Sequence, residues 1–165
     1  MASSPQTPTR SRDYAALSAG YGALLGALLL ASRDKGEEPV RPEEVLSLGI
    51  ATFALAKLVS KEKADAWVRE PFVDEHDGMP EPRGTGLRHV VGELLICTRC
   101  TGVWSALGLV ALRVTHPGES RVVTALLGAS AVNDFAQAGF TWVEARTNAE
   151  QARAAQAAAV APSSG

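Results

Sequence analysis

The apolar residues of this chain are gathered into four blocks, while most of its charges lie in the tails and in the links between them. Segregation of that kind is what helices facing hydrocarbon require, and it points to a membrane protein. The first block, Tyr14 to Ala31, runs eighteen residues without a charge (YAALSAGYGALLGALLLA), close to the length of a bilayer span. A signal peptide is the competing reading, because basic residues precede the apolar core. The following LLLASRDKG makes a poor small-residue cleavage site, so the segment is expected to be retained. Within it Ser18, Gly22 and Gly26 stand four apart, a spacing that lets helices cross closely in lipid.

The second block spans 45–60 and is broken only by Lys57 near its end, where a long side chain reaches the headgroups. Pro42 is expected in the first turn of this helix, with Glu43 and Glu44 favoured at the positive end of its dipole. The third block, 92–114, opens on a Cys-x-x-Cys pair, and the fourth covers 122–143. Between the second and third lies the longest polar region. Its first part suits an amphipathic helix along the surface, with Ala64, Trp67 and Val68 turned inward and Pro71 ending it. An acidic, Gly/Pro-rich turn follows, and Pro117-Gly118 marks another turn before the fourth block. The expected fold is all-α: a small polytopic membrane domain over 14–143 with four embedded helices and a cytoplasmic amphipathic segment. A flexible N-terminal tail, 1–13, precedes it and an Ala-rich tail, 144–165, follows.

A formal charge of −2 and scattered basic residues offer no surface for nucleic acid. Lysine and arginine counts in the short links set orientation: nine fall in the two tails and the central link, and five on the other side. That bias places both termini and the cysteine pair on the cytoplasmic side of the membrane. The expected partners are the lipid bilayer and a second copy or another membrane protein.

Cys97 and Cys100 are three residues apart and converge on one helical face, with Trp104 following on it. Gly102, Ala106 and Gly108 are small enough for a second helix to come close. Three readings of the pair stay open. Zinc needs four ligands, of which the pair supplies two; His89 or His76 could add a third, or two chains could complete a four-cysteine site across a dimer. A thiolate at a helix N-terminus beside Arg99 suits redox chemistry, although no βαβ pattern surrounds it. Two small thiols packed at a helix entrance also need no function beyond packing.

Other constellations are weaker. Glu93 and His89, one turn apart, make either an acid/base pair or an ordinary hydrogen bond. The run Asp74, Glu75, His76 and Asp77 could attract a cation, but an acidic turn is usually just solvated. Asn133, Gln137 and Thr141 form a polar stripe with Asp134 beside it, costly in lipid and therefore expected to face the bundle or to serve a transport path. No nucleophile elbow, phosphate loop or paired His-Glu metal motif occurs, so the expected role is non-enzymatic.

The central region, from about Leu46 to Leu112, resembles a bacterial membrane family known as domain of unknown function 1360. The resemblance rests on Lys57-Leu58 with Lys61-Glu62-Lys63, then Arg69, Pro71 and Phe72, then Gly92-Glu93-Leu94-Leu95 leading into Cys97, Cys100, Gly102 and Trp104. Thr98 departs from it, since similar sequences tend to carry proline after the first cysteine. The resemblance implies an integral membrane protein and supplies no activity. The function expected from the sequence is a small membrane scaffold or accessory subunit presenting an interfacial Cys-x-x-Cys; the alternative is a thiol-redox protein or a zinc-binding sensor.

Overall fold

The computed structural model describes residues 9–33, 40–62, 66–76 and 79–160. Most of the expected N-terminal tail, part of the first link, Ala64 of the amphipathic segment, Asp77 and the last five residues lie outside them. Six helices and one hairpin follow in order: α1 (Ser11–Ser32), α2 (Pro42–Lys61), α3 (Ala66–Arg69), β1 (Val73–His76), β2 (Met79–Pro82), α4 (Leu87–Ile96), α5 (Thr98–Thr115) and α6 (Pro117–Val160). The chain forms two compact units, 1–128 and 129–165, and α6 runs through both.

The architecture is all-helical apart from the hairpin. The third block and the acidic turn differ from the sequence reading. The block 92–114 is not one helix: α4 and α5 meet at Cys97 at an angle of 92°. The acidic, proline-rich turn is a short antiparallel pair in the register Val73↔Pro82 to His76↔Met79. Pro80 and Pro82 are tolerated because a two-stranded ribbon leaves open edges where no N–H is needed. Asp74 stands opposite Glu81, and the guanidinium of Arg83 donates to Asp74 from Nε at 2.9 Å and also from Nη2, offsetting that repulsion.

The core lies between α2 and α5. Buried Leu48, Ala51, Ala54, Ala56 and Ser60 of α2 meet a neighbour carrying buried Thr101, Ser105, Leu107 and Leu109. Small residues predominate on the α2 side, which lets the two backbones approach. Their antiparallel sense is fixed at both ends. At one end Glu44 accepts from Arg113 at 2.9 Å, and at the other Ser60 Oγ donates to Thr101 Oγ1 at 3.1 Å. Pro42 starts α2, and the Glu44 carboxylate also accepts from the Arg41 N–H at 3.0 Å, satisfying a donor that the helix leaves free. The other end of α2 is closed by Arg69, which donates to the carbonyls of Val59 at 2.6 Å and Glu62 at 3.1 Å. Those carbonyls belong to the last turn and have no helical partner.

Helix α4 rests on the hairpin at Gly92. A Cβ built there would lie 2.4 Å from the Phe72 carbonyl oxygen and 3.0 Å from Pro82 Cβ. The same Phe72 carbonyl accepts from the Arg83 N–H at 2.7 Å, and Arg88 Nε donates to the Pro71 carbonyl at 2.8 Å. Trp67, expected to turn inward, is 71% exposed, because α3 is a single turn too short to present an apolar stripe to a neighbour.

Helix α1 has 22 residues, carries no charge from Tyr14 to Ala31 and has no buried residue. It is about 33 Å long, enough to cross a hydrocarbon core of about 30 Å. It is the one described helix that is long and apolar enough by itself; the bent pair of α4 and α5 makes a second if it is counted as one broken span. Cβ atoms built on Gly22 and Gly26 would meet nothing within 4 Å, so their small-residue face is open. In the second unit, Val132, Phe140, Trp142 and Val143 are exposed, and the guanidinium of Arg146 lies 5.5 Å from the Trp142 ring.

Two expectations follow. Alanine is a better helix former than glycine by about 1 kcal/mol, so Gly108→Ala, which meets nothing within 4 Å, should be neutral or mildly stabilising. Gly92→Ala should instead destabilise by about 1–3 kcal/mol through overpacking against the Phe72 carbonyl, and thermal unfolding in detergent compares the two. The carboxyl of Glu44 is held below the usual range, first by the Arg41 N–H and then by the hydrogen bond from Arg113. A lowered folded-state pKa contributes stability above the ordinary value of about 4.3 and loses it as pH falls through the folded value. Glu44→Gln should therefore be less stable than the parent at pH 7, and the gap should close as pH drops below about 4.3.

Candidate functional site

The right-angled corner between α4 and α5 is built by backbone groups that find partners off the helical path. Cys97 adopts φ −91° and ψ 100°, an extended conformation that ends α4 and starts α5. Its N–H still reaches the carbonyls of Glu93 and Leu94, at 3.2 and 3.3 Å. The Leu94 carbonyl also accepts from Thr101 Oγ1 at 2.8 Å, and Thr101 is buried. Ser60 on α2 completes that chain of hydroxyls, so the corner is tied to the core.

Cys97 becomes the N-cap of α5 in consequence. Its sulfur accepts from the Cys100 N–H at 3.3 Å, and the Cys100 thiol donates to it with the two sulfurs 2.7 Å apart. The sequence reading put both cysteines on one helical face; they meet instead because the first caps the helix that carries the second. Both are free thiols, Cys97 half-buried and Cys100 exposed. Thr98 occupies the first helical position, the one place in a helix where proline is favoured, so the helix start does not depend on a proline here.

These contacts lower the pKa of the Cys97 thiol. The hydrogen bond from the Cys100 thiol contributes most, followed by the Cys100 N–H, with the Arg99 N–H and guanidinium charge adding to them against the cost of burial. A thiolate accepting hydrogen bonds at a helix N-terminus is the form that attacks disulfides and binds metals. The two sulfurs lie against each other, so a disulfide between them needs only side-chain rotation.

A cleft of about 440 Å³ opens beside the two sulfurs. Leu17 of α1 and Val90, Leu94 and Ile96 of α4 make its apolar wall, and Tyr14 and Glu93 supply its polar groups. Tyr14 Oη donates to Glu93 Oε2 at 2.5 Å, joining α1 to α4. His89 Nε2 lies 3.7 Å from the other Glu93 oxygen, and its Nδ1 is 3.2 Å from the Gly84 carbonyl oxygen. His89 thus sits with Glu93 and Gly84. Among the described residues no three His, Cys, Asp or Glu side chains converge as metal ligands.

The other residues singled out in the sequence have separate duties. Trp104 packs edge-on against Tyr21 of α1, ring centroids 5.3 Å apart. A Cβ on Gly102 would meet only Ala56 Cβ, at an ordinary 3.9 Å. Lys57 Nζ is 3.4 Å from a Glu62 oxygen, Arg69 closes α2, and Pro71 and Phe72 offer their carbonyls to Arg88 and Arg83. Asn133 and Gln137 are exposed on the part of α6 that belongs to the second unit, which also holds Asp134. Sequence reasoning did not single out Tyr14, Leu17 or Thr101 for the site. Tyr14 as the first residue of an apolar span is the only signal they carry.

Replacing Cys100 by alanine removes the thiol donor and leaves the helix N–H in place, so the Cys97 pKa should rise but stay below that of a free thiol. The pH dependence of iodoacetamide alkylation measures it: Cys97 should label at lower pH in the parent than in Cys100→Ala, and the parent should label Cys97 ahead of Cys100 at neutral pH.

Comparison with known proteins agrees with this layout of motifs. The pattern of the family described as protein of unknown function (DUF1360) matches residues 47–140, which takes in most of α2, the hairpin, the cysteine corner and the first half of α6. The sporulation protein YjcA of Bacillus subtilis (strain 168) is 35% identical over 92 residues, covering 50% of this chain and 78% of that protein. No solved structure matches. With a match over more than half of its length and a relative at that level of identity, the chain belongs to the DUF1360 family.

Proposed function

We propose that this protein is a membrane-embedded thiol-redox protein whose Cys97 and Cys100 cycle between dithiol and disulfide. The observation that carries the reading is the corner at Cys97. The first sulfur caps a helix, the second lies 2.7 Å from it, and the first is the one with the lowered pKa. That division of labour suits thiol–disulfide exchange. The Cys97 thiolate attacks a disulfide on a partner protein, one partner sulfur leaves as thiolate, and a mixed disulfide forms. Cys100, deprotonated, then attacks Cys97 and releases the second partner sulfur, so that two electrons have passed from the pair to the partner. The reverse sequence oxidises a partner dithiol.

The membrane setting belongs to the same proposal. Alongside α1, helices α2 and α5 are about 30 and 27 Å long, and α6 is longer still. Val45, Leu46, Phe53, Val103, Val122, Leu126, Phe140 and Val143 lie exposed on them. Four embedded helices at an inner membrane with both termini inside would cover those side chains. A cytoplasmic pair would be kept reduced at rest, so its disulfide would be transient. A scaffold or accessory role is the second reading, favoured by the open face of Gly22 and Gly26 on an apolar helix with no buried residue. Participation in sporulation, which the Bacillus relative's name carries, is for this chain part of the proposal.

Purified protein in mild detergent, prepared without chelators, provides the test. Glutathione disulfide should take the two thiols per chain to none within one chain, without dimer formation, and dithiothreitol should restore both; Cys97→Ser should block the change. Thiols that resist oxidation, or that are protected by zinc at one ion per chain or per two chains, would overturn the redox reading. Zinc would install the metal reading in its place.

A further inference from the structure

The cleft beside the cysteine pair has a composition that thiol–disulfide exchange alone does not use. Its wall is Leu17, Val90, Leu94 and Ile96, and Leu17 belongs to the helix that is long and apolar enough to cross a membrane. A disulfide on a soluble partner reaches sulfur from water and gains nothing from such a wall. A lipid-soluble molecule would approach from the apolar side and be held there. The volume, about 440 Å³, suits one substituted ring with the start of an apolar tail. The rest of its lining is Cys97, Cys100, Tyr14 and Glu93. Tyr14 Oη and Glu93 Oε2 are 2.5 Å apart, and His89 Nε2 is 3.7 Å from Glu93 Oε1, which gives a line of groups able to hold and pass protons.

An apolar cleft, a dithiol and proton-carrying groups together match one class of oxidant. We infer that the cleft binds the ring of a membrane quinone, which oxidises the Cys97–Cys100 pair directly. This rests on the redox reading and names the electron acceptor for the same site. The step balances: two S–H bonds break and one S–S bond forms, and two electrons and two protons pass to the quinone. Its two carbonyl oxygens become the hydroxyls of a hydroquinone. By turning its single O–H away from Glu93, Tyr14 can donate to a carbonyl oxygen of the ring, and Glu93 is the base within reach of Tyr14. The cycle would then run from a partner's dithiol to the pair and from the pair to the quinone.

The test uses the full chain, reduced, in detergent or lipid nanodiscs, with decylubiquinone as the probe. Its fully substituted ring is reduced instead of being arylated by thiols. The ultraviolet absorbance of the quinone and the free-thiol count are followed together. Reduction of one quinone per chain with loss of both thiols is expected, saturating with quinone concentration. Leu17→Trp, which fills the cleft, should raise the half-saturating concentration at least tenfold. Leu29→Trp should leave it unchanged, since Leu29 lies on the same helix at an exposed position outside the cleft. Oxidation by glutathione disulfide without any by decylubiquinone would overturn the quinone inference and leave the redox reading standing. Failure with both oxidants would sink both. A quinone reaction that does not saturate, or that ignores Leu17→Trp, would show collision with exposed thiols and overturn the binding site.

Discussion

The extended backbone of Cys97 is the constraint on which the rest of the site depends. Had residues 92–114 continued as one helix, the Cys100 N–H would bond a carbonyl four residues back, and no donor would remain for the first sulfur. The break frees that N–H and turns the two sulfurs toward each other. It also turns α4 across the hairpin while α5 runs antiparallel to α2. What keeps the break open is the buried hydroxyl of Thr101, which takes the Leu94 carbonyl and is itself held by Ser60. Polar groups in a core are costly when unpaired, and here each hydroxyl has a partner, so the corner is specified by satisfaction and not by strain.

The ends of the helices are organised on the same principle. Every α-helix leaves carbonyls exposed at its C-terminus and donors at its N-terminus, and in an apolar setting those groups need partners from the protein. Arg69 reaches back to the last turn of α2, and Arg113 at the end of α5 meets Glu44 at the start of α2. The Arg113 and Glu44 side chains are 15% and 26% exposed, which shields their attraction from water and makes it stronger than a surface pair. Family-motif residues such as Arg69, Pro71 and Phe72 are thereby explained without any part in chemistry. They close α2 and seat the hairpin beneath Gly92.

How far this could be read from the sequence depends on which force is local. Apolar blocks separated by charged links announced an all-helical chain, because hydrophobic patterning and helix length are properties of a single segment. The corner at Cys97 was not legible. The run from Gly92 to Val114 holds no proline, and its break is decided by Thr101 and Ser60, a partner 41 residues distant from it in sequence. The hairpin was hidden for a related reason: Pro80 and Pro82 argue against a strand, and only an isolated ribbon with Arg83 beside Asp74 accommodates them. The pairing of Cys97 and Cys100 could be read from spacing, though its geometry could not. The cleft could not be read at all, since Tyr14 and Leu17 come to it from the far end of the chain.

That arrival of α1 decides what kind of site this is. A helix of 22 residues, uncharged from Tyr14 to Ala31, that buries none of them in its own chain is a poor component of a water-soluble core, whose helices gain stability by covering an apolar stripe. It is held by directional contacts on one side, Tyr14 with Glu93 and Tyr21 with Trp104, and its remaining apolar faces are open. Those two contacts bracket the cysteine corner, one on α4 and one on α5. The thiols therefore lie where a polar corner meets an apolar helix. Docking of α1 forms one wall of the cleft, so the position of this helix determines how wide the approach to the sulfurs is from that side.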